Sequence, residues 1–138
     1  MITCIKRVEF DAGHRVLGHK HKCKYLHGHR YALEVTVSSE TLNEIGMVID
    51  FADLKDIIAS WINENFDHNV ILHKEDKQLG DFISRQTGQN VYYLSVNPTA
   101  ENIALHLKNV ILLKLFEGRG FNITKVKLYE TPNSYVEV

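Results

Sequence analysis

The 138-residue chain has a formal net charge of -1, with 44% hydrophobic and 24% charged residues, a composition that suits a globular fold with a real core and excludes a disordered or fibrous chain. The near-neutral balance leaves no basic footprint for nucleic acid, and no apolar run approaches the roughly 20 residues of a membrane span. A start that enters a strand pattern directly, without a cleavable apolar core, predicts a cytoplasmic protein of one domain over residues 1-138, and two cysteines, Cys4 and Cys23, do not make a disulfide framework.

From about residue 2 to 12 the chain alternates. Cys4, Val8, Phe10, Ala12 and then His14 fall on one side of a period-two pattern, which predicts a strand with one buried face. Cys4 on that side reads as a small buried apolar residue. A second strand is expected from about 27 to 38, where His27, His29, Tyr31, Leu33, Val35 and Val37 share a side. The connection from His14 to Leu26 is too long and irregular for a tight hairpin, and such connections are usually functional. Asp50 is placed to cap a helix, and Phe51, Leu54, Ile57, Ile58, Trp61, Ile62 and Phe66 recur at helical spacing up to Asp67.

Residues 69 to 90 are mixed and polar, with Gly80 and Gly88, and predict a loop with at most a short helical turn around Leu79 to Arg85. A short strand over Val91 to Val96 precedes Asn97-Pro98-Thr99, a helix-start signal with Glu101 near the positive end of the dipole. That helix should run from about 99 to 117 and stop at Gly118 and Gly120. Phe121 to Glu130 predicts a strand whose broken parity at Ile123 and Val126 places a bulge near Thr124. Pro132 and Asn133 then turn the chain into a last strand at Tyr135 to Val138. The order predicts an α+β fold, a four-stranded antiparallel sheet with two helices packed on one face.

The three histidines extend the buried sides of two strands. Residues at i and i+2 on a strand project the same way about 7 Å apart, so His27 and His29 can converge with His14 on one ion at nitrogen distances of about 2.0 to 2.1 Å. Three histidine ligands with an open fourth corner is the ligand count of a catalytic zinc site. Cys23 lies among Lys20, Lys22 and Lys24, a cationic setting that favours a reactive thiol. The competing arrangement makes Cys23 a fourth ligand, which closes the site and leaves a zinc-stabilised binding module.

Asp67-His68 follows the first helix and is either a dipole-favoured histidine at a helix end or a carboxylate holding an imidazole for proton exchange. Glu130 shares a side with Val126 and Leu128 if no second bulge intervenes, and is either a structural salt bridge or exposed strand end, or a buried carboxylate that calls for a cation or a ligand with two parallel N–H donors, such as a guanidine-like edge. Thr99 is a cap or a ligand contact. Glu101 is explained as a helix-start residue. His19, His21, His73 and His106 share no geometric argument and are expected on loops or the helix surface, while Lys20, Lys22, Lys24 and Arg30 are solvated or meet an anionic phosphate tail.

Phe10-Asp-Ala-Gly-His14, Cys23-Lys-Tyr-Leu-His27-Gly-His29, Gly46-Met-Val-Ile-Asp50-Phe51, Asp67-His68, Asn97-Pro98-Thr99-Ala-Glu101-Asn102 and Glu130-Thr-Pro132 occur in this order from end to end. Together they resemble the 6-pyruvoyltetrahydropterin synthase family, and within it the 6-carboxytetrahydropterin synthase (QueD-type) branch. The resemblance implies a tunnelling fold whose trimers close their sheets into a β-barrel and stack as a hexamer, with active sites between subunits. It implies Zn2+ on His14, His27 and His29, Cys23 as proton acceptor, Asp67 and His68 as its relay, and Glu130 anchoring the pterin and joining the relay, with Thr99 as a pterin contact. The implied substrate is 7,8-dihydroneopterin triphosphate. The implied product is 6-carboxy-5,6,7,8-tetrahydropterin, with acetaldehyde and triphosphate released, for queuosine and related 7-deazapurines; the sister branch would eliminate triphosphate without losing carbon.

Overall fold

The computed structural model describes residues 1–138. Strands β1 (Ile2–His14) and β2 (His27–Ser39) pair antiparallel along their whole length, so that Phe10 lies opposite Tyr31 and His14 opposite His27. The alternation seen in the sequence is the burial pattern: Phe10, Ala12 and His14 of β1 and Tyr31, Leu33, Val35 and Val37 of β2 are all buried. Phe10 and Tyr31 stack with centroids 5.1 Å apart. The other face of the same strands carries a charged ladder, in which Arg7 meets Glu34 at 3.0 Å, Arg30 meets Asp11 at 2.9 Å, and Glu9 lies 3.6 Å from both arginines. One apolar and one solvated face is what an antiparallel sheet tolerates.

Helix α1 (Phe51–Asn65) starts where Asp50 accepts a hydrogen bond from the Ala52 N–H at 2.7 Å, as the capping signal predicts, and buries Leu54, Ile58 and Ile62 in the core. The next segment corrects the expectation of a loop. Residues 69 to 90 contain strand β3 (Asn69–His73) and helix α2 (Lys77–Thr87), separated by a single 3₁₀ turn. β3 runs parallel to β1 and is followed by β4 (Val91–Leu94), parallel to β3.

The sheet therefore has six strands in the order β4-β3-β1-β2, then β5 (Asn122–Thr131) and β6 (Ser134–Glu137), rather than four antiparallel ones. The reason lies in β3 itself. Ile71 faces the main core, while Val70 and Leu72 face a second cluster with Ile83 of α2, so the strand is apolar on both sides and shows no alternation. Gly80 lets α2 approach β4, because a Cβ there would collide with the Tyr93 hydroxyl and ring.

Helix α3 (Ala100–His106) begins with Thr99 accepting from the Asn102 N–H at 3.2 Å, passes through a π-helical stretch (Leu107–Leu112) and ends as α4 (Leu113–Leu115), close to the expected span. Ile103, Ala104, Leu107 and Leu112 join α1 in the core. In β5 the register against β2 shifts beside Thr124, the expected bulge, and the Thr124 hydroxyl bonds that of Ser38 at 2.9 Å. No helix is long and apolar enough to cross a membrane.

Candidate active site

β1 and β2 deliver all three histidines to one point. The Nε2 atoms of His14 and His27 are 3.1 Å apart, as are those of His27 and His29. His14 is buried, at 2% exposure, and its Nδ1–H donates to the Pro98 carbonyl oxygen at 2.7 Å, with the Tyr31 hydroxyl 3.3 Å from the same nitrogen. His27 Nδ1–H donates to the Tyr25 carbonyl oxygen at 2.7 Å. Since a carbonyl can only accept, both rings are fixed in the Nδ1–H tautomer and both turn an Nε2 lone pair inward. Burial holds the His14 and His29 imidazoles below their ordinary pKa, which keeps them neutral, and the nearby Glu130 carboxylate opposes that shift in part.

Lone pairs facing each other at this distance repel unless a cation lies between them. Tetrahedral ligation at about 2.0 to 2.1 Å separates neighbouring donor nitrogens by about 3.3 Å, so the spacing and the neutral imidazole donor set fit a divalent ion such as zinc. Cys23 is not part of this cluster, which disfavours the closed four-ligand arrangement.

Glu130 points where its strand neighbours Val126 and Leu128 point, although the β5–β6 register is irregular beside it, and its Oε1 lies 3.3 Å from His29 Nε2. His14, Cys23, Thr99 and Glu130 line one open cavity of about 320 Å³, together with His19, Glu101 and the β6 residues Ser134 and Tyr135. Thr99 thus serves as the cap of α3 and as a wall of the cavity.

Asp67 and His68 do not share this cavity. His68 lines a separate depression with Asp11 and Arg30 of the charged face, to which His27 and His29 of the cluster also contribute. Asp67 Oδ1 accepts from the Asp11 backbone N–H at 2.9 Å, and its Oδ2 accepts from His68 Nδ1 at 2.9 Å. Burial pushes the Asp67 carboxyl up, but the Asp11 and His68 hydrogen bonds and the Arg30 guanidinium outweigh it and hold the group below the usual carboxylate range. His68 sits in left-handed backbone, with φ 59, a costly conformation that clusters at functional sites. Its ring is 78% exposed, so the Nε2 edge faces outward from this chain.

Two further groups, the Tyr31 hydroxyl and the Pro98 carbonyl, shape the site at His14. Tyr31 shares parity with His27 and His29, a signal sufficient to find it. The Pro98 carbonyl carries no sequence signal, because it acts through backbone. His106, expected on the helix surface, is half-buried with its Nε2 accepting from the Tyr92 hydroxyl at 2.7 Å.

In sequence and fold the chain as a whole resembles a class of pterin synthases. The family model described as 6-pyruvoyl tetrahydropterin synthase matches residues 3–138, and the chain belongs to that family. It is an enzyme of this family, 59% identical over 138 residues to the 6-carboxy-5,6,7,8-tetrahydropterin synthase of Rickettsia bellii, with 100% of both chains covered. It is 32% identical to the protein of the same name from Haemophilus influenzae, covering 99% of this chain and 98% of that one. Among solved structures, an uncharacterized protein of Wolinella succinogenes shares the fold with a TM-score of 0.82 at 24% identity, over 99% of this chain and 97% of that one. The 6-pyruvoyl tetrahydropterin synthase of Caenorhabditis elegans superposes with a TM-score of 0.70 at 26% identity, over 99% and 94%. The α+β tunnelling fold of the family is therefore the fold of this chain.

Proposed function

We propose that this chain is a cytoplasmic, zinc-dependent 6-carboxy-5,6,7,8-tetrahydropterin synthase, one domain of residues 1-138, that converts 7,8-dihydroneopterin triphosphate to 6-carboxytetrahydropterin with release of acetaldehyde and triphosphate, on the route to queuosine and other 7-deazapurines. The observation that carries the proposal is the convergence of three histidine nitrogens beside a cavity that also holds a thiol and a carboxylate. His14, His27 and His29 hold the zinc, which when bound supplies Lewis-acid polarisation of side-chain oxygens and makes neighbouring C–H bonds more acidic.

The chain's own groups divide the remaining work. Cys23 accepts the proton from the substrate side chain. Glu130 offers two carboxylate oxygens to the guanidine-like edge of the pterin, which fixes the ring, and Thr99 adds a hydroxyl contact. Asp67 holds His68 in one tautomer, so that its outward Nε2 can exchange a proton.

In one copy His68 and Cys23 line different cavities. The proposal therefore includes a homo-oligomer, a hexamer of two trimers, in which one subunit's Asp67–His68 pair serves its neighbour's Cys23. The outer edges of β4 and β6 support it, because strand edges left unpaired in the monomer are templates for pairing with further copies.

The deciding experiment is incubation of the zinc-loaded protein with 7,8-dihydroneopterin triphosphate, with assays for acetaldehyde and the pterin product. Stoichiometric acetaldehyde with the carboxy product is expected. A pyruvoyl product without acetaldehyde would move the chain to the sister branch, and a protein that binds zinc but leaves the substrate intact would refute the catalytic reading.

A further inference from the structure

The loop that carries Cys23 is held by a side chain the catalytic roles leave out. The Leu17 N–H donates to Asn97 Oδ1 at 3.0 Å, and Asn97 Nδ2–H donates to the Leu17 carbonyl oxygen at 2.9 Å. One carboxamide thus satisfies both backbone groups of a single loop residue. The adjacent Val16 N–H donates to the Cys23 carbonyl oxygen at 2.8 Å, which ties the loop's start to the backbone of the thiol residue. On its other side Asn97 is rigid, because its own carbonyl oxygen accepts from Asn102 Nδ2 of α3 at 2.9 Å. The next residue, Pro98, is the one whose carbonyl orients His14.

Hydrogen bonds from α3 to Asn97 and from Asn97 to Leu17, then the peptide bond to Val16 and its hydrogen bond to Cys23, link α3 to the thiol residue, and one turn of chain serves both the loop and the buried histidine. No other side chain makes this contact equally well. Asp lacks the donor, Gln is one methylene longer, and Ser presents a single oxygen in place of a planar donor–acceptor pair. The start of the loop has a second anchor in the paired hydrogen bonds of Arg15 to the buried Asp76 carboxylate, so loss of the Asn97 contact should free the Cys23 region without unfolding the chain.

We infer that Asn97 is a positioning residue, which clamps the Leu17 backbone and thereby sets where the Cys23 thiol stands relative to the histidine cluster. The inference deepens the proposed function and rests on it only for the consequence in turnover.

The test compares full-length, zinc-loaded wild type with Asn97→Ala and Asn97→Asp by four readouts: amide hydrogen exchange, the rate at which iodoacetamide alkylates Cys23 as mapped by peptide mass spectrometry, zinc content, and turnover. In Asn97→Ala, exchange of the Leu17 amide and its loop neighbours should rise about tenfold or more, the scale of a lost hydrogen-bonded pair. Cys23 alkylation should rise at least about threefold, while α3 exchange and zinc content stay at wild-type levels and kcat falls about tenfold. Asn97→Asp, which keeps the acceptor for the Leu17 N–H, should fall between the two and serves as the informative variant if the alanine form folds poorly. Unchanged loop exchange and alkylation in a folded variant would overturn the inference, as would faster exchange spread evenly over the whole chain. Altered loop readouts with no turnover in the wild type would leave the clamp standing and refute the proposed reaction instead.

Discussion

Nε2 of His14 and Nε2 of His27 stand 3.1 Å apart while the Nδ1–H of each ring donates to a backbone carbonyl, that of Pro98 for one and of Tyr25 for the other. With both Nδ1–H groups so engaged, the Nε2 lone pairs are left facing each other. The fold therefore stores a local repulsion that a divalent cation removes, which couples metal binding to stability.

Zinc is expected to bind at one ion per chain, and a ligand held at a hundred times its Kd adds about 2.7 kcal/mol to the folded state. Chelation should accordingly lower Tm by about 5 to 10 °C. His27→Ala should weaken zinc by more than the roughly 10- to 100-fold that loss of a partner behind a metal ligand costs. Metal analysis and thermal melts of the two proteins check this, and a His27→Ala variant with full zinc content would sink the assigned ligand set.

Cys23 shares a cavity with His14 but is not one of the clustered ligands. Cys23→Ala should keep its zinc and its Tm while turnover falls about 10²- to 10⁴-fold, the usual contribution of a positioned proton acceptor. Loss of metal or of the fold in this variant would point instead to a structural site.

Much of this was legible in the primary sequence because it rests on alternation. β1 and β2 each have one buried side, so parity alone puts His14, His27 and His29 together with Phe10 and Tyr31. β3 was illegible for the converse reason, since Val70, Ile71 and Leu72 are buried on both faces. The position of Asp67 and His68 was lost with it, because these residues are carried to the charged face by the parallel pairing of Asn69 with Ala12, a long-range contact that no local pattern encodes. Asn97 read as a helix start, and its second role as a clamp depends on a loop eighty residues away.

Asp67→Asn removes one acceptor from a carboxylate that now serves both the Asp11 N–H and the His68 ring. The amide can satisfy only one of them, so His68 loses its tautomer and turnover should fall about 10²-fold or more with the fold intact. If neighbouring subunits supply the two halves of each site, mixing Cys23→Ala with Asp67→Asn chains and reassembling them should restore roughly a quarter of the sites by random assortment. Reassembled mixtures no more active than either parent would show that the halves act within one chain.

His106 gives acid sensitivity one origin outside the histidine cluster. Burial holds its imidazole below its ordinary value of 6.5, and the Tyr92 hydroxyl donates to the neutral Nε2. As pH falls below 6.5 the unfolded chain takes up a proton that the folded chain still refuses, so the stability present above that value is lost as pH drops through the lower folded-state value. His106→Gln keeps an acceptor for Tyr92 but cannot titrate. Urea unfolding of the zinc-loaded proteins between pH 7.5 and about 5 should therefore give a shallower loss of stability for His106→Gln than for wild type. Parallel curves would show that the His106 proton plays no part in acid sensitivity.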